Sequence, residues 1–514
     1  MNGGDLLRPI APELTVLVGA CVVLLAGVTR AGRARGLTGW LALGTIVTAL
    51  LIAWNSPAGN GTAFGMRVGD LAWYVRMIAL AVGAVVLLVH WQLPSADERG
   101  DVFAMILFSL AGILGTALAD DLVLLFLSLE LVSVPTYVLV SIGRSDVRAQ
   151  EAGVKYFFLG ALASALMVYG FSFLYGASGT TAISTMALNP RGGYATLGLV
   201  LAFAGLAYKI AAVPFHAYVA DVYQGAASPV TGLLGFFPKL AGFIAIMKLL
   251  WIVQPFDPVA TGWNLPWAAF VFLWIVAAAT MTVGNVLGLM QTNVKRMLAY
   301  SSIAHSGYML VGVLVGPVTG GAAFRDGISA VLFYIVIYGL MNLGAFTVLA
   351  MITSDGRAAE DLDDVAGLAR RQPVAALALA VCVFSLMGMP PTAGFLGKLY
   401  VFSSALAAGN NPYYSALIAL AIIGVINSAI AAAYYLRIIG ACYVRDAVRE
   451  LGVVPKSFGL QLGLVICCTA VLLIGLWPRG LIAMARRPFH DAPVTTLVHT
   501  PPPPTMMNSP SAQR

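Results

Sequence analysis

The chain has 514 residues, of which 60% are hydrophobic and only 10% charged, and its formal net charge is +7. Soluble domains carry about 25% charged residues, and the mean hydropathy here is +0.89, so composition excludes a soluble enzyme with an anchor and gives an all-α polytopic membrane protein. The positive balance fits cation-rich loops on one side of a bilayer; no basic stripe interleaved with aromatics accompanies it, so nucleic acid is not an expected partner.

The N-terminal stretch Met1 to Arg8 is of mixed charge and no small-residue cleavage site follows, so no cleavable signal peptide is expected. A spanning helix needs about 20 apolar residues. Fourteen runs qualify, at roughly 11–29, 37–54, 71–91, 102–119, 121–142, 152–175, 194–219, 228–252, 263–288, 296–316, 327–352, 374–405, 415–442 and 458–480. The run 374–405 is too long for one simple span and 194–219 holds an internal proline, which predicts a broken helix in each. The five cysteines (Cys21, Cys382, Cys442, Cys467, Cys468) lie in apolar runs without metal-ligand spacing and read as small buried hydrophobes.

Fourteen spans place both termini on one side. One set of loops carries 14 Lys/Arg (30, 33, 35, 99, 144, 148, 295, 296, 357, 370, 371, 445, 449, 456) against 7 in the other (8, 67, 191, 325, 479, 486, 487), the distal tail excluded. The bias puts both termini outside the cytoplasm, with the Arg479–Arg487 cluster running against it. The loop Thr353–Gln372, with Asp355, Glu360, Asp361, Asp363 and Asp364, reads as a cytoplasmic linker with a short surface helix. Residues 488–514, rich in Pro, Thr and Ser, read as a disordered or extended tail.

Ionisable residues inside spans are costly and mark function. Glu130, Lys239 and His305 fall near mid-depth of their runs, and Lys209 somewhat past it; Lys398 follows the Pro390-Pro391 break. Lys248, Arg76 and Arg437 read as snorkelling side chains whose heads reach the interface. Glu130 has a plainer reading as half of a structural ion pair, and His305 as a satisfied core histidine. Lys155 opens its helix just after Arg148 and Glu151 and is equally well a boundary charge. A buried lysine whose carboxylate partner moves closer or farther takes up or releases a proton near neutral pH, and histidine titrates there without help. A mid-depth row of Glu, Lys, Lys and His is therefore a candidate proton wire. Lysines repel cations and no Asp/Glu/His cluster has ligand spacing, so no metal is expected; no haem motif and no Gly-rich fingerprint after a strand is present, so no redox cofactor is expected in the chain.

Broken helices in matching roles are the sequence pointer to a repeated transporter fold. In the first, Lys209 precedes Val213-Pro214-Phe215-His216; in the second, Lys398 follows Gly388-Met389-Pro390-Pro391. These segments also carry a resemblance. Leu129-Glu130-Leu131 before Pro135, the run from Arg144 through Arg148 and Glu151 to Lys155-Tyr156-Phe157, and Lys209 to His216 belong to it. So do Ala227-Ser228-Pro229-Val230, Pro238-Lys239, Lys295 through Ser301-Ser302 to His305-Ser306-Gly307-Tyr308, and Gly388 through Gly394 to Gly397-Lys398. Over about residues 100–440 the chain resembles the antiporter-like subunits of proton-pumping respiratory complex I. Lys398 separates it from subunit M, for which the resemblance gives a glutamate, and the end of the chain soon after the fourteenth span separates it from subunit L with its lateral helix.

The resemblance implies about 14 transmembrane helices with two inverted five-helix repeats, each with a broken helix. The N-terminal three-helix segment would be 1–101, the repeats 102–252 and 263–442, and the last span 458–480. It implies that Glu130 and Lys209 form an ion pair that tunes proton affinity, that Lys239 is the central relay, that His305 lies near the connection of half-channels, and that Lys398 exchanges protons with the far side. Lys155 matches a further lysine of the family, and His216 sits in the broken helix beside the pair. NAD, FMN, iron–sulfur clusters and quinone are expected in other subunits of such a complex, not in this chain. The implied partners are subunit M, the small subunits on the K and J side and the lipid bilayer, in a cell inner membrane. Two other readings stay open on the residues alone: a subunit of a multi-subunit cation/proton antiporter, and a structural spacer whose buried charges are satisfied ion pairs.

Overall fold

The computed structural model describes residues 8–29, 36–56, 61–63, 65–91, 98–144, 146–186, 192–253, 262–263, 265–318, 324–354, 357–449, 451–453 and 457–490. In chain order the helices are α1 (Ala11–Val28), α2 (Leu37–Asn55), α3 (Asp70–His90), α4 (Arg99–Leu118), α5 (Leu122–Ile142), α6 (Val147–Ser178), α7 (Gly193–Lys209), α8 (Val219–Gly225), α9 (Ser228–Leu234) and α10 (Phe237–Trp251). They continue as α11 (Trp267–Leu289), α12 (Val294–Val315), α13 (Gly327–Met351), α14 (Leu368–Arg371), α15 (Pro373–Met387), α16 (Ala393–Leu406), α17 (Tyr414–Tyr443), α18 (Phe458–Leu476) and α19 (Arg479–His490). Small antiparallel strands pair outside the helices: Gly61–Ala63 with Met66–Val68, and Ile352–Ser354 between Arg357–Ala358 and Leu451–Val453.

Twelve stretches among the described residues are long and apolar enough to cross a bilayer. They coincide with twelve of the fourteen predicted runs. The other two runs are the predicted breaks: α7 ends at Lys209 and α8 starts at Val219, and α15 ends at Met387 and α16 starts at Ala393. Helix α6 outruns its predicted span. Its 32 residues measure about 48 Å at 1.5 Å per residue against a hydrocarbon core of about 30 Å, so α6 tilts or projects beyond it.

Short polar residues of the loops set where helices begin. Asp121 accepts from Val123 N and Leu124 N, Asp146 from Ala149 N, Asn293 from Arg296 N, Asp326 from Ile328 N and Ser329 N, and Ser457 from Leu460 N. Each side chain satisfies amides that the first helical turn leaves unpaired. Helices α1, α2, α6, α11, α17 and α18 form the outside and present apolar side chains such as Leu25, Trp54, Phe158, Ile275, Val425 and Leu476. At the centre runs α13, buried at every residue from Gly327 to Leu349, packed against α9, α12, α15, α16 and α18.

The breaks satisfy their own backbone. At the first, Ser306 Oγ donates to Ile210 O (2.5 Å), Thr280 Oγ1 accepts from Val213 N (2.9 Å) and Tyr218 Oη donates to Tyr208 O (2.9 Å). At the second, Gly394 N donates to Ser385 Oγ (3.0 Å) and Lys398 Nζ to Met387 O (2.9 Å). Without water in the bilayer core, groups freed by a break must find such partners. At the first break two of the hydroxyls come from the neighbouring helices α11 and α12, and at the second the partners come from the two halves of the broken helix itself.

Two sequence expectations change here. Arg76 does not snorkel: it is buried, with Nε 2.7 Å and Nη2 2.9 Å from the Glu13 carboxylate and Nη2 2.7 Å from Pro9 O, and so ties α3 to the start of α1. Lys248 is partly exposed, and its ammonium donates to Ala119 O (2.5 Å) at the C-terminal end of α4, where the helix dipole favours a cation. Residues 488–490, read as tail, are the last part of helix α19, and the remainder of 488–514 lies outside the described residues. Arg437, on an exposed flank, donates to Leu289 O (2.7 Å) at the end of α11.

Glu13→Ala strands the Arg76 guanidinium, whose side chain is 2% exposed, so it is expected to destabilise the fold by about 3 kcal/mol. Arg370→Ala, at an ion pair whose side chains are 71% and 82% exposed, is expected to change stability by less than about 1 kcal/mol. Thermal unfolding of the two purified variants, side by side, checks the contrast.

Candidate functional site

Glu130 is the ninth residue of α5, one turn before Ser133. Lys209 closes α7 at the first break. The structure brings them together: Lys209 Nζ lies 2.9 Å from Glu130 Oε1 and donates to Ser133 Oγ at 2.6 Å. Ser164 Oγ, from α6, donates to the same carboxylate oxygen at 2.6 Å. The lysine side chain is 3% exposed and the glutamate 24%. The pair is held asymmetrically, with the ammonium sealed and the carboxylate at the edge of the packed interior.

From Lys209 a narrow cavity leads to Lys239. It is lined by both lysines together with Tyr156, Tyr218, Tyr223 and Pro238, and its volume of about 10 Å³ matches a single water. Pro238 stands in the first turn of α10 where its missing N–H costs nothing, and this starts the helix so that Lys239 faces inward. Lys239 is 1% exposed. Its ammonium donates to Ser302 O and to Ser306 Oγ (2.8 Å), and it sits 5.0 Å from the centre of the Tyr338 ring. Ser302 Oγ in turn lies 3.1 Å from Tyr223 Oη.

His305 follows three residues after Ser302 on α12, fully inside. Nδ1 is 2.7 Å from Tyr334 Oη and Nε2 is 3.1 Å from Tyr435 Oη. The Tyr435 hydroxyl also hydrogen-bonds Ser301 Oγ. On the far side Lys398 donates to Met387 O and Ser428 Oγ, each at 2.9 Å, and stands 5.1 Å from the centre of the Tyr308 ring. Met387 is the last residue of α15, so this ammonium rests on the negative end of a half-helix dipole. Glycines make the room. A Cβ at Gly397 would fall 2.2 Å from the Tyr334 ring, and Gly388, with φ +86°, lets the Lys398 stem pass where a Cβ would meet Cδ at 3.0 Å.

Glu130, Lys209, Lys239, His305 and Lys398 thus form one line through the buried interior, and α5, α7, α10, α12 and α16 each contribute one member. The two further candidates do not join it directly. Lys155 is 42% exposed and pairs with Glu151 (2.7 Å) and Asp221 (2.9 Å); Asp221 also holds Arg296 (2.8 Å). His216 lies half-buried in the first break, and no side-chain contact among the described residues links it to Glu130 or Lys209. The sequence reading missed the hydroxyl groups around the line: Ser133, Ser164, Ser302, Ser306, Ser428, Tyr334 and Tyr435. Serines one turn from Glu130 or beside His305 carry a faint signal by helical spacing; Tyr334 and Tyr435 come from distant helices and carry none.

Lys295, which the sequence pattern places among the loop charges, is buried and donates to Gln224 O (3.0 Å) and Ala226 O (2.6 Å) at the end of α8. The basic-rich loops meet on one face, through Arg144 to Glu360 (2.6 Å) and Arg449 to Asp364 (2.5 Å). Arg449, in that aqueous layer, has its pKa raised by its hydrogen bond to Asp364.

Residues 119–430 match the family described as NADH:quinone oxidoreductase/Mrp antiporter, transmembrane. The chain belongs to this family of proton-antiporter-like membrane proteins. It is 38% identical over 491 residues to NADH-quinone oxidoreductase subunit N of Trichlorobacter lovleyi, covering 94% of this chain and 96% of that one. It is 38% identical over 457 residues to the subunit N of Rhodospirillum rubrum, covering 87% and 89%. Among solved structures it superposes with TM-score 0.76 on a chain of respiratory complex I from Thermus thermophilus with bound aureothin, at 28% identity over 92% of this chain and 98% of that chain. A chain of the Mrp complex from Dietzia sp. DQ12-45-1b gives TM-score 0.76 at 21% identity, over 93% and 98%, a likeness of fold.

Gly388→Ala forces a side chain into a left-handed backbone position, at about 1–2 kcal/mol, and crowds the Lys398 stem. It is expected to lower the thermal midpoint, whereas Gly440→Ala, where a Cβ meets open space, leaves it unchanged.

Proposed function

We propose that this chain moves protons across the membrane arm of an NADH-quinone oxidoreductase, as its counterpart of subunit N. Quinone reduction takes place elsewhere in the complex. The observation that carries the reading is the unbroken burial of three lysines and a histidine along one line that starts at the Glu130–Lys209 pair. Sequence likeness to subunit N over nearly the whole chain supports it.

In this reading the Glu130–Lys209 pair is the switch. When a neighbouring subunit shifts the carboxylate, Lys209 and then Lys239 change their hold on a proton. Lys239 is the central relay, His305 the station between the halves and Lys398 the group that exchanges protons with the far side. Lys155 and Asp221 feed or balance the line from the charged face, and His216 serves the break. The driving change arrives from outside the chain, and NAD, FMN, iron–sulfur clusters and quinone belong to other subunits. Subunit M on one side and the small subunits K and J on the other are its partners. The two halves, 102–252 and 263–442, are inverted repeats that follow an N-terminal segment 1–101. The membrane is the cell inner membrane with both termini outside the cytoplasm; the gathering of basic-rich loops on one ion-paired face supports that orientation.

A cation/proton antiporter subunit is the second reading, favoured by the fold it shares with the Mrp chain. Co-purification decides between them: NADH dehydrogenase subunits accompany this chain in the first and not in the second. Within the complex, Lys239→Ala or Glu130→Ala is expected to abolish NADH-driven proton pumping while the subunit still assembles, and normal pumping in either contradicts the assignment. Lys398→Ala is expected to slow proton exchange with the outer side in pH-jump experiments; unchanged kinetics remove it from the route.

A further inference from the structure

The line is not continuous in hydrogen bonds between Lys239 and His305. Lys239 directs its hydrogen bonds to Ser302 O and Ser306 Oγ, and His305 directs both ring nitrogens to Tyr334 and Tyr435. One side chain touches both stations. The ring of Tyr338, on α13 one turn after Tyr334, lies 5.0 Å from the Lys239 ammonium and 5.1 Å, ring centre to ring centre, from the His305 imidazole at an interplanar angle of 33°. Tyr338 is completely buried, yet its hydroxyl has no hydrogen-bond partner among the described residues.

That last fact is informative. A phenylalanine would make the same ring contacts, the cation–π contact included, without burying a polar group that lacks a partner. An unsatisfied buried hydroxyl is costly and calls for a reason. The Ser302 hydroxyl, which lies 3.1 Å from Tyr223 Oη, stands near that of Tyr338, and a shift of the Tyr338 ring would bring the two hydroxyls together or apart. From these observations we infer that the Tyr338 hydroxyl is the relay between Lys239 and His305, disengaged in the state seen here and engaged when the ring shifts so that the hydroxyl meets both neighbours at once. This rests on the proton-line reading above.

The step balances without any other reactant. The O–H of Tyr338 passes its proton to the His305 nitrogen that carries the lone pair, as the Lys239 ammonium passes a proton to the Tyr338 oxygen. Lys239 becomes the neutral amine, His305 becomes the imidazolium and Tyr338 ends as the neutral phenol it began as. In the disengaged state the ring separates the two stations, so the line does not short-circuit between strokes.

The test uses the whole complex in inverted membrane vesicles, with Tyr338→Phe beside Tyr413→Phe, whose hydroxyl bonds Leu265 O outside the line. The relay predicts that Tyr338→Phe assembles normally, melts at the same or a higher temperature because an unpaired polar group is gone, and pumps protons at least about fivefold more slowly, while Tyr413→Phe pumps as the parent does. A purely structural Tyr338 predicts unchanged pumping, and that result overturns the inference. Should Tyr338→Phe fail to assemble, 3,5-difluorotyrosine at 338 keeps the shape and acidifies the hydroxyl. The relay then moves the pH profile of pumping to lower pH; an unmoved profile overturns it. If Lys239→Ala pumps normally, the parent reading falls as well. If Lys239→Ala is dead and Tyr338→Phe is fully active, only the relay falls.

Discussion

The constraint on which this structure turns is the solvation of ammonium groups where there is no water. Each buried lysine must replace its hydration shell with acceptors fixed in the fold. Lys209 takes a carboxylate and a serine, Lys239 a backbone carbonyl and a serine, and Lys398 the end of a half-helix and a serine. Of the three, Lys209 alone rests on a formal negative charge among the described residues. The other two are held by dipoles, an arrangement that tolerates a neutral amine as well as a cation. That tolerance is what a proton relay needs and what a static ion pair lacks.

The helix breaks belong to the same constraint. Ending α15 at Met387 presents carbonyls to Lys398, and ending α7 at Lys209 leaves Ile210 O for Ser306. Ser306 is shared, since it also accepts from Lys239. In the proposed reading, a shift of the Glu130–Lys209 pair along α7 reaches Lys239 through this one serine and through the narrow cavity between the lysines. Coupling of this kind needs no long lever, only two neighbouring arrangements of a packed hydroxyl.

Much of this was legible in the sequence because the relevant signals are extreme. A lysine inside twenty apolar residues, a proline in mid-span and a Pro-Pro pair after Gly388 are too costly in a bilayer to stand without a structural purpose, and they pointed to both breaks and to the three buried lysines, whereas the parts given to Glu130 and His305 came from the family resemblance. The contact between Glu130 and Lys209, 79 residues apart, followed from family resemblance rather than from periodicity. What stayed hidden has a common physical origin. Serine and tyrosine are ordinary residues of membrane helices, so nothing in Tyr334, Tyr338 or Tyr435 tells them from packing until α12, α13 and α17 are brought together. Arg76 was misread because its partner Glu13 lies two helices earlier, and Lys295 because a charge at a span's edge has the same pattern whether it faces water or caps a neighbouring helix.

In the proposed reading, water completes the line during turnover, beginning in the cavity between Lys209 and Lys239, which has the volume of a single water. High-resolution cryo-electron microscopy of the complex under turnover measures this directly, by ordered water density in each populated state. The account predicts at least one state in which waters bridge the two ammonium groups at hydrogen-bond distance. A cavity that stays dry in every state, with Lys239 always bound to Ser302 O, contradicts it.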